Sequence, residues 1–329
     1  MKVIRVKSPG GAEQLELGEF PTPEPGKAEI RVAVKATALN RADILQREGK
    51  YPPPPGASPL LGLEMAGIVE RTGPDCHCWH PGDRVFALLP GGGYAEYVTV
   101  HEALALPIPD SLSFEEAAAI PEAFLTAYQV LHWIARLQQG EYVLIHAGAS
   151  GVGTAAIQLV KQAGAYPLVT AGSEDKIRFC RQLGAIGGIN YKKAPFADGV
   201  MAYTHGHGAD VIIDPVGSPY WHPNLTCLAM DGRIVMIATM GGTKVTEMNL
   251  RDLFKKRVQI TATTLRSRSL DYKIRLTQEF RKQLLPLFSQ GVLKPIIDRV
   301  FPWEHVQEAH RYMEANRNIG KIVLRVSED

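Results

Sequence analysis

The pattern of apolar and polar positions changes once along the chain. From Met1 to about Pro109 apolar residues come in short runs cut by Gly and Pro: KVIRV, AEIRVAVKATAL, AGIVERTG, DRVFALL and YAEYVTV. Such runs, rich in β-branched and aromatic residues and bounded by turn formers, predict an all-β barrel or sandwich. From about Pro121, strand-like runs alternate with helical stretches of ten or more residues, the signature of βαβ units around a parallel sheet. The strands expected there are YVLIHA, YPLVTA, GGIN, DVIIDPV, RIVMIA and VQITATTL. After Leu265, Leu276, Phe280, Leu284 and Phe288 fall on one face of a helix; KPIIDRVF, a helix around EHVQEAHRYMEA and a strand KIVLRV follow. This tail is expected to return to the first domain.

Composition narrows the class. A chain of 329 residues exceeds one usual hydrophobic core, so two domains are expected, and 45% hydrophobic residues supply ample core material. The net charge is only +2 and the basic residues are scattered, so nothing draws the whole chain to nucleic acid or membrane. The N-terminal MKVIRVKSPGG has no apolar signal region and no run of eighteen apolar residues occurs, which points to a cytoplasmic protein. The cysteines, Cys76, Cys78, Cys180 and Cys227, lack paired spacing and fit reduced thiols.

The segment VLIHAGASGVGTAAIQLVKQAGA sets a buried-type strand against a helix with a glycine-rich hinge between them. Gly148, Gly151 and Gly153 are spaced G-x-x-G-x-G, which departs from the commoner G-x-G-x-x-G but meets the same need. Glycines let backbone N–H groups approach a pyrophosphate at the positive end of the helix, Ser150 adds a hydroxyl donor, and Ala155 and Ala156 keep the helix close to the sheet. The expected phosphate cradle is Ser150, Gly151, Val152 and Gly153. Six alternating strands favour this over a ligand-free turn.

The second strand decides which dinucleotide binds. An NAD enzyme places an acid on the ribose 2′-hydroxyl at its tip. Here YPLVTA runs into GSEDK: Gly172 leaves room, and Ser173 with Lys176 suits a 2′-phosphate, hence NADPH. Glu174 or Asp175 could instead be the ribose acid, or both could serve the first turn of a helix capped by Ser173. Gly217 and Leu265 fall at C-terminal strand ends, where ligands of open α/β sheets lie.

With LLGLEMAGIV, PGDRVFALLPGGGYAEYVTV, ALNRADILQREGKYPPPPGAS, IPEAFLTAYQVLH, HAGASGVGTAAIQL and EAHRYMEANRNIGKIVL, the chain resembles the medium-chain dehydrogenase/reductase superfamily over nearly its whole length. Within it, the chain is similar to the zinc-independent quinone oxidoreductases, the ζ-crystallin-like branch. The resemblance implies an α/β protein: a GroES-like β-barrel catalytic domain from residues 1–120 and 266–329, with a doubly wound parallel Rossmann domain, residues 121–265, inserted between them. It also implies a substrate cleft, and homodimers formed through VQITATTL of the sixth strand. Zinc enzymes of the superfamily place a Cys after an early strand and a His in a G-H-E motif; this chain has Asn40 and Leu63 there, and neither replaces thiolate or imidazole. DCHCWH is too crowded to close a tetrahedral site, and His205 and His207 read as a glycine-rich loop, so no metal is expected.

Without a Lewis acid, hydride transfer to or from a simple alcohol is hard, whereas a quinone becomes a delocalised hydroquinone anion. The expected activity is therefore NADPH-dependent quinone reduction. The alternatives are reduction of an enone and, from another class, an NADPH-binding structural or RNA-binding role. By resemblance, Tyr51 and Asn40 face the nicotinamide end of the cleft, Thr126 lies near the nicotinamide or phosphates, and Tyr191 lies beside the adenosine phosphate. Tyr51 could donate its phenol or simply stack on the adjacent prolines. Asn316 departs from branch members that have Arg there. Lys255, Lys256 and Arg257 read as a solvated helix end.

Overall fold

The computed structural model describes residues 1–327. The chain forms two compact units: one comprises Met1–Leu125 and the residues from Leu265 onward, the other Thr126–Thr264. The opening stretch carries β1 (Lys2–Val6), β2 (Leu15–Glu19), β3 (Glu29–Ala38), α1 (Arg41–Arg47), β4 (Glu64–Thr72), β5 (Arg84–Leu88), β6 (Tyr97–His101) and β7 (Ala105–Pro107). Two helices follow, α2 (Phe114–Ala118) and α3 (Pro121–Tyr128). β1 and β2 pair with each other as an antiparallel ribbon. β3 is the hub of the larger sheet and pairs antiparallel with β4 and β6. A strand with neighbours on both sides cannot show the half-solvated alternation of an edge strand. Only three of its ten residues are more than marginally exposed.

The second unit alternates strictly: β8 (Tyr142–Ile145), α4 (Gly151–Gln162), β9 (Tyr166–Ala171), α5 (Glu174–Leu183), β10 (Gly187–Asn190), α6 (Phe196–Tyr203), β11 (Ala209–Asp214), α7 (Trp221–Cys227), β12 (Leu228–Met236), α8 (Leu250–Lys256) and β13 (Gln259–Ala262). The strands form one parallel sheet in the order β10-β9-β8-β11-β12-β13. That order reverses beside β8, so the turn leaving β8 opens at the switch point of a doubly wound sheet. α4 is apolar nearly all round because it packs on the sheet; Ala155, Ala156, Ile157, Leu159 and Val160 are fully buried. Each of its larger side chains contributes roughly 1.5–3 kcal/mol by leaving water. β13 ends at Ala262, so the expected sixth strand is shorter than VQITATTL, and Leu265 lies in the connection beyond it rather than at its end.

The closing stretch holds α9 (Leu270–Gln283), α10 (Leu285–Ser289), β14 (Ile297–Pro302), α11 (Val306–Glu314) and β15 (Lys321–Arg325). β15 pairs antiparallel with β3 and parallel with β14, completing a sheet ordered β14-β15-β3-β4-β5-β7. The single helix expected through Leu276, Phe280, Leu284 and Phe288 is two helices. The break falls at Leu284, φ −110°, and Pro286, which offers no N–H, sits in the first turn of α10, where that N–H is not needed. All four apolar residues are nevertheless buried, so the face survives the break.

Candidate functional site

The hinge after β8 is built around a close approach. A Cβ on Gly153 would stand 2.5 Å from the carbonyl oxygens of both Ala147 and Gly148, a contact only glycine avoids. Ala147 itself takes a left-handed backbone, φ 52°, and accepts from Ser150 N at 2.8 Å. Ser150 caps α4 through Oγ, which accepts from Gly153 N at 3.0 Å. Its own hydroxyl hydrogen remains to donate, and the N–H groups of Gly151 and Val152 have no intrahelical acceptor. These donors and the positive helix end suit a pyrophosphate.

A polar chain that the sequence reading missed underlies the hinge. His146, 2% exposed, meets Thr170 Oγ1 at 2.9 Å through Nδ1 and Asn224 Oδ1 at 2.7 Å through Nε2. Asn224 Nδ2 donates to Asp214 Oδ2 at 3.0 Å, and Asp214 Oδ1 accepts from Val216 N at 2.6 Å and Gly217 N at 3.0 Å. Burial holds His146 below its ordinary pKa, so a neutral ring ties together the ends of β8, β9 and β11. Gly217, at φ 87°, forms a bridge to Gly242. Thr126 sits half-buried within α3.

At the tip of β9, Ser173 caps α5, its Oγ accepting from Lys176 N at 3.4 Å. Both acids that competed as ribose ligands have partners of their own. Glu174 accepts from Asn190 Nδ2 at 3.0 Å and lies 3.1 Å from Lys193 Nζ, while Asp175 pairs with Arg178. A Cβ on Gly172 would stand 2.9 Å from the Tyr191 phenol oxygen and 3.4 Å from Lys192 Cε. Gly172, Ser173, Tyr191 and Lys192 therefore converge, and Lys192 is an addition to the expected set.

In the first unit, Asn40 lies where β3 hands over to α1. Its Nδ2 donates to Glu64 Oε1 at 2.8 Å, and Lys321 Nζ donates to Asn40 Oδ1 at 2.7 Å, Glu64 Oε1 at 2.6 Å and Leu39 O at 2.8 Å. Glu64, fully buried, also accepts at Oε2 from Glu122 N at 2.8 Å. The amide of Asn40 is thus held from both ends between a carboxylate and an ammonium. Burial, then the negative charge of Glu64, pushes the Glu122 carboxyl up to about 8. Burial likewise lifts Asp43 to about 6 although it accepts from Asn40 N and Gly62 N. Tyr51 packs over Arg266, its ring centroid 5.2 Å from the guanidinium carbon.

Behind this cluster Arg47, fully buried, donates through Nη1 to His310 Nδ1 at 3.1 Å, and His310 Nε2 meets the Tyr94 hydroxyl at 3.2 Å. Guanidinium has no acceptor, so His310 carries its hydrogen on Nε2. Burial and the Arg47 charge lower His310 to about 3. Charged residues inside apolar runs, Glu64 in LLGLEMAGIV and Lys321 in NIGKIVL, were the available signal for this cluster.

DCHCWH folds around an acid. Glu102 Oε2 accepts from the backbone N of His77 and Cys78, each at 2.9 Å, and Trp79 Nε1 donates to Glu102 O at 2.9 Å. His207 Nε2 lies 2.8 Å from Asp210 Oδ1. No group of three or more His, Cys, Asp or Glu suited to a metal ion occurs among the described residues. Nor is any helix among them long and apolar enough to cross a membrane. Lys256 corrects the expected solvated helix end: its ammonium donates at 2.7–2.8 Å to the carbonyls of Leu225 and Thr226 at the C-terminal end of α7 and of Leu228, the first residue of β12.

The chain thus combines a parallel sheet with a switch-point hinge and a second unit that carries a buried polar cluster. The family model described as "Alcohol dehydrogenase GroES-like domain" matches residues 26–110, and the one described as "Zinc-binding dehydrogenase" matches residues 183–324. The chain is 35% identical over 325 residues to the quinone oxidoreductase of Pseudomonas aeruginosa, covering 98% of this chain and 99% of that protein. The Escherichia coli quinone oxidoreductase complexed with NADPH aligns with a TM-score of 0.88 at 31% identity, over 99% of this chain and 100% of that one. The CurK enoyl reductase aligns with a TM-score of 0.87 at 29% identity, over 99% of both chains. Against the mycocerosic acid synthase-like polyketide synthase of Mycobacterium tuberculosis the chain is 32% identical but spans only 15% of that protein's length. The chain belongs to the medium-chain dehydrogenase/reductase family, and its two units are the GroES-like and Rossmann-like parts of that α/β fold.

Proposed function

We propose that the chain is an NADPH-dependent, zinc-independent quinone reductase of the ζ-crystallin-like branch. The observation that carries this reading is the cage of Lys321, Asn40 and Glu64. At the positions where zinc relatives supply a thiolate and an imidazole, this chain has an amide already held by a carboxylate and an ammonium, and an apolar Leu63. Such a donor set does not suit zinc, so the substrate must be electrophilic in itself. The Gly153 cradle, Ser150 and the first amides of α4 fit a pyrophosphate, and Ser173, Lys176, Tyr191 and Lys192 around Gly172 fit a 2′-phosphate. When bound, NADPH supplies the hydride. Asn40 and Tyr51 orient the substrate, and Thr126 and Gly217 complete the cofactor contacts.

Stopped-flow oxidation of NADPH with an ortho-quinone tests the reading; no turnover across a quinone panel refutes it. Likeness to an enoyl reductase supports reduction of an enone as the second reading. Competition of quinone and enone in one assay separates the two. We also propose a homodimer through β13, all four of whose residues are exposed. Sedimentation of a 36 kDa species alone refutes it.

A further inference from the structure

Arg266 is a buried charge of the first unit whose chemistry the reductase reading leaves unused. It is 5% exposed. Its Nε donates to Pro90 O at 2.7 Å, its Nη2 donates to Gln46 Oε1 at 2.7 Å, and the Tyr51 ring packs against its guanidinium. All three partners are neutral. The remaining nitrogen, Nη1, is buried without a hydrogen-bond partner. The acids acting on it at a distance are Asp43 and Glu122, and Glu122 keeps its proton up to about pH 8. A permanent cation is thus held out of water against neutral groups, with both N–H bonds of Nη1 unspent.

Such an arrangement is costly. An unmet buried donor costs roughly 1–3 kcal/mol, and a buried charge is ordinarily paired. A side chain kept only to brace Pro90 and Gln46 has no need of an empty third nitrogen. Strain and unmet polar groups of this kind gather where a ligand uses them. The Tyr51 contact shows, in addition, that the guanidinium accepts a flat six-membered ring against it.

We propose that Arg266 Nη1 is the anchor for the anionic oxygen of the reduced substrate, a phenolate or enolate oxygen conjugated to a planar ring or chain. This deepens the proposed reductase activity and rests on it. A quinone that receives a hydride gains two electrons and one hydrogen nucleus while the nicotinamide is oxidised. One of its oxygens then carries a negative charge until it takes a proton from water. Arg266 donates Nη1–H to that oxygen in the interval, and no covalent bond forms to the protein.

The test uses the full chain with NADP⁺ and 4-nitrophenol, an unreactive phenol whose ionised form absorbs visible light. An opposite charge at hydrogen-bond distance lowers an acid's pKa by about 1–3 units, so bound 4-nitrophenol should ionise at least one unit below the free probe. Arg266→Gln should return it to the free value and weaken phenolate binding about tenfold or more. Arg266→Lys, a point charge in place of the fork, should restore part of the shift. Should either variant fail to fold, the wild-type chain carries the test alone: 4-nitroanisole, which cannot ionise, must bind at least tenfold more weakly than 4-nitrophenol. An unshifted or undetectably bound probe, or equal binding of the anisole, overturns the proposal. Quinone turnover is followed on the same preparation. Turnover without a phenolate shift removes the anchor alone, whereas a shift without turnover removes the reductase reading and leaves the anion site standing.

Discussion

Replacing Lys321 by Met removes the cation from the cage around Glu64 and leaves the methylene stem in place. Three hydrogen bonds disappear, to Leu39 O, Asn40 Oδ1 and Glu64 Oε1. Glu64 keeps two donors, Asn40 Nδ2 and Glu122 N, but remains a fully buried carboxylate with no counterion. Breaking a buried pair from one side costs about 3–5 kcal/mol. At roughly 2–4 °C per kcal/mol for a unit of this size, the melting temperature should fall by roughly 6–20 °C. Because the cost is that of a lone charge, Lys321→Met combined with Glu64→Gln should recover most of it, and calorimetric melting of wild type, both single variants and the double variant measures that coupling. A single-variant loss below about 1 kcal/mol, or a double variant as unstable as the sum of its parts, refutes the account of the cage.

Three other outcomes follow from the geometry. Gly153→Ala forces a side chain against two carbonyl oxygens, so NADPH affinity, read by fluorescence titration, should fall at least about tenfold with the far-UV spectrum retained; unchanged affinity refutes the cradle. His310 is depressed to about 3 in the folded chain against about 6.5 unfolded, so it binds fewer protons when folded and its stabilisation is complete above pH 6.5 and lost as pH falls toward 3. His310→Gln should therefore flatten the acid limb of the stability profile by on the order of 4 kcal/mol, whereas a limb parallel to wild type refutes the assignment. Glu122 has the opposite sign: raised from 4.5 to about 8, it binds more protons when folded and erodes stability as pH climbs through that window. Glu122→Gln should gain on wild type progressively in urea denaturation from pH 5 to pH 9, and a constant difference refutes this.

Much of the second unit was legible because each βαβ step leaves a local trace. β9 and β10 coincide with YPLVTA and GGIN to the residue; β9 is a buried parallel strand, a short apolar run stopped by its own turn, whereas β10 at the sheet's edge is a four-residue run of alternating burial. The hinge was legible because glycine alone tolerates the approach at position 153. The limits of β13 were not, because VQITATTL reads as one run and only pairing with β12 ends the strand at Ala262. The cage was hidden for a related reason: Glu64 and Lys321 lie 257 residues apart, and no period or motif couples them. Arg266 gave no signal at all, since an arginine's unmet nitrogen is a property of its surroundings.

The pairing of β3 with β15, Ala38 opposite Val323, dictates an order of assembly. All six strands of the second unit lie in one uninterrupted stretch, so that sheet can close as soon as its residues leave the ribosome. The far end of β3 cannot. Until β15 emerges, a nascent chain holds an open strand edge and an acid still waiting for its cation, the kind of surface that chaperones shield and stray strands capture. Slowing synthesis anywhere between β4 and β15 should therefore lengthen a vulnerable interval, while a pause placed before β3 should not.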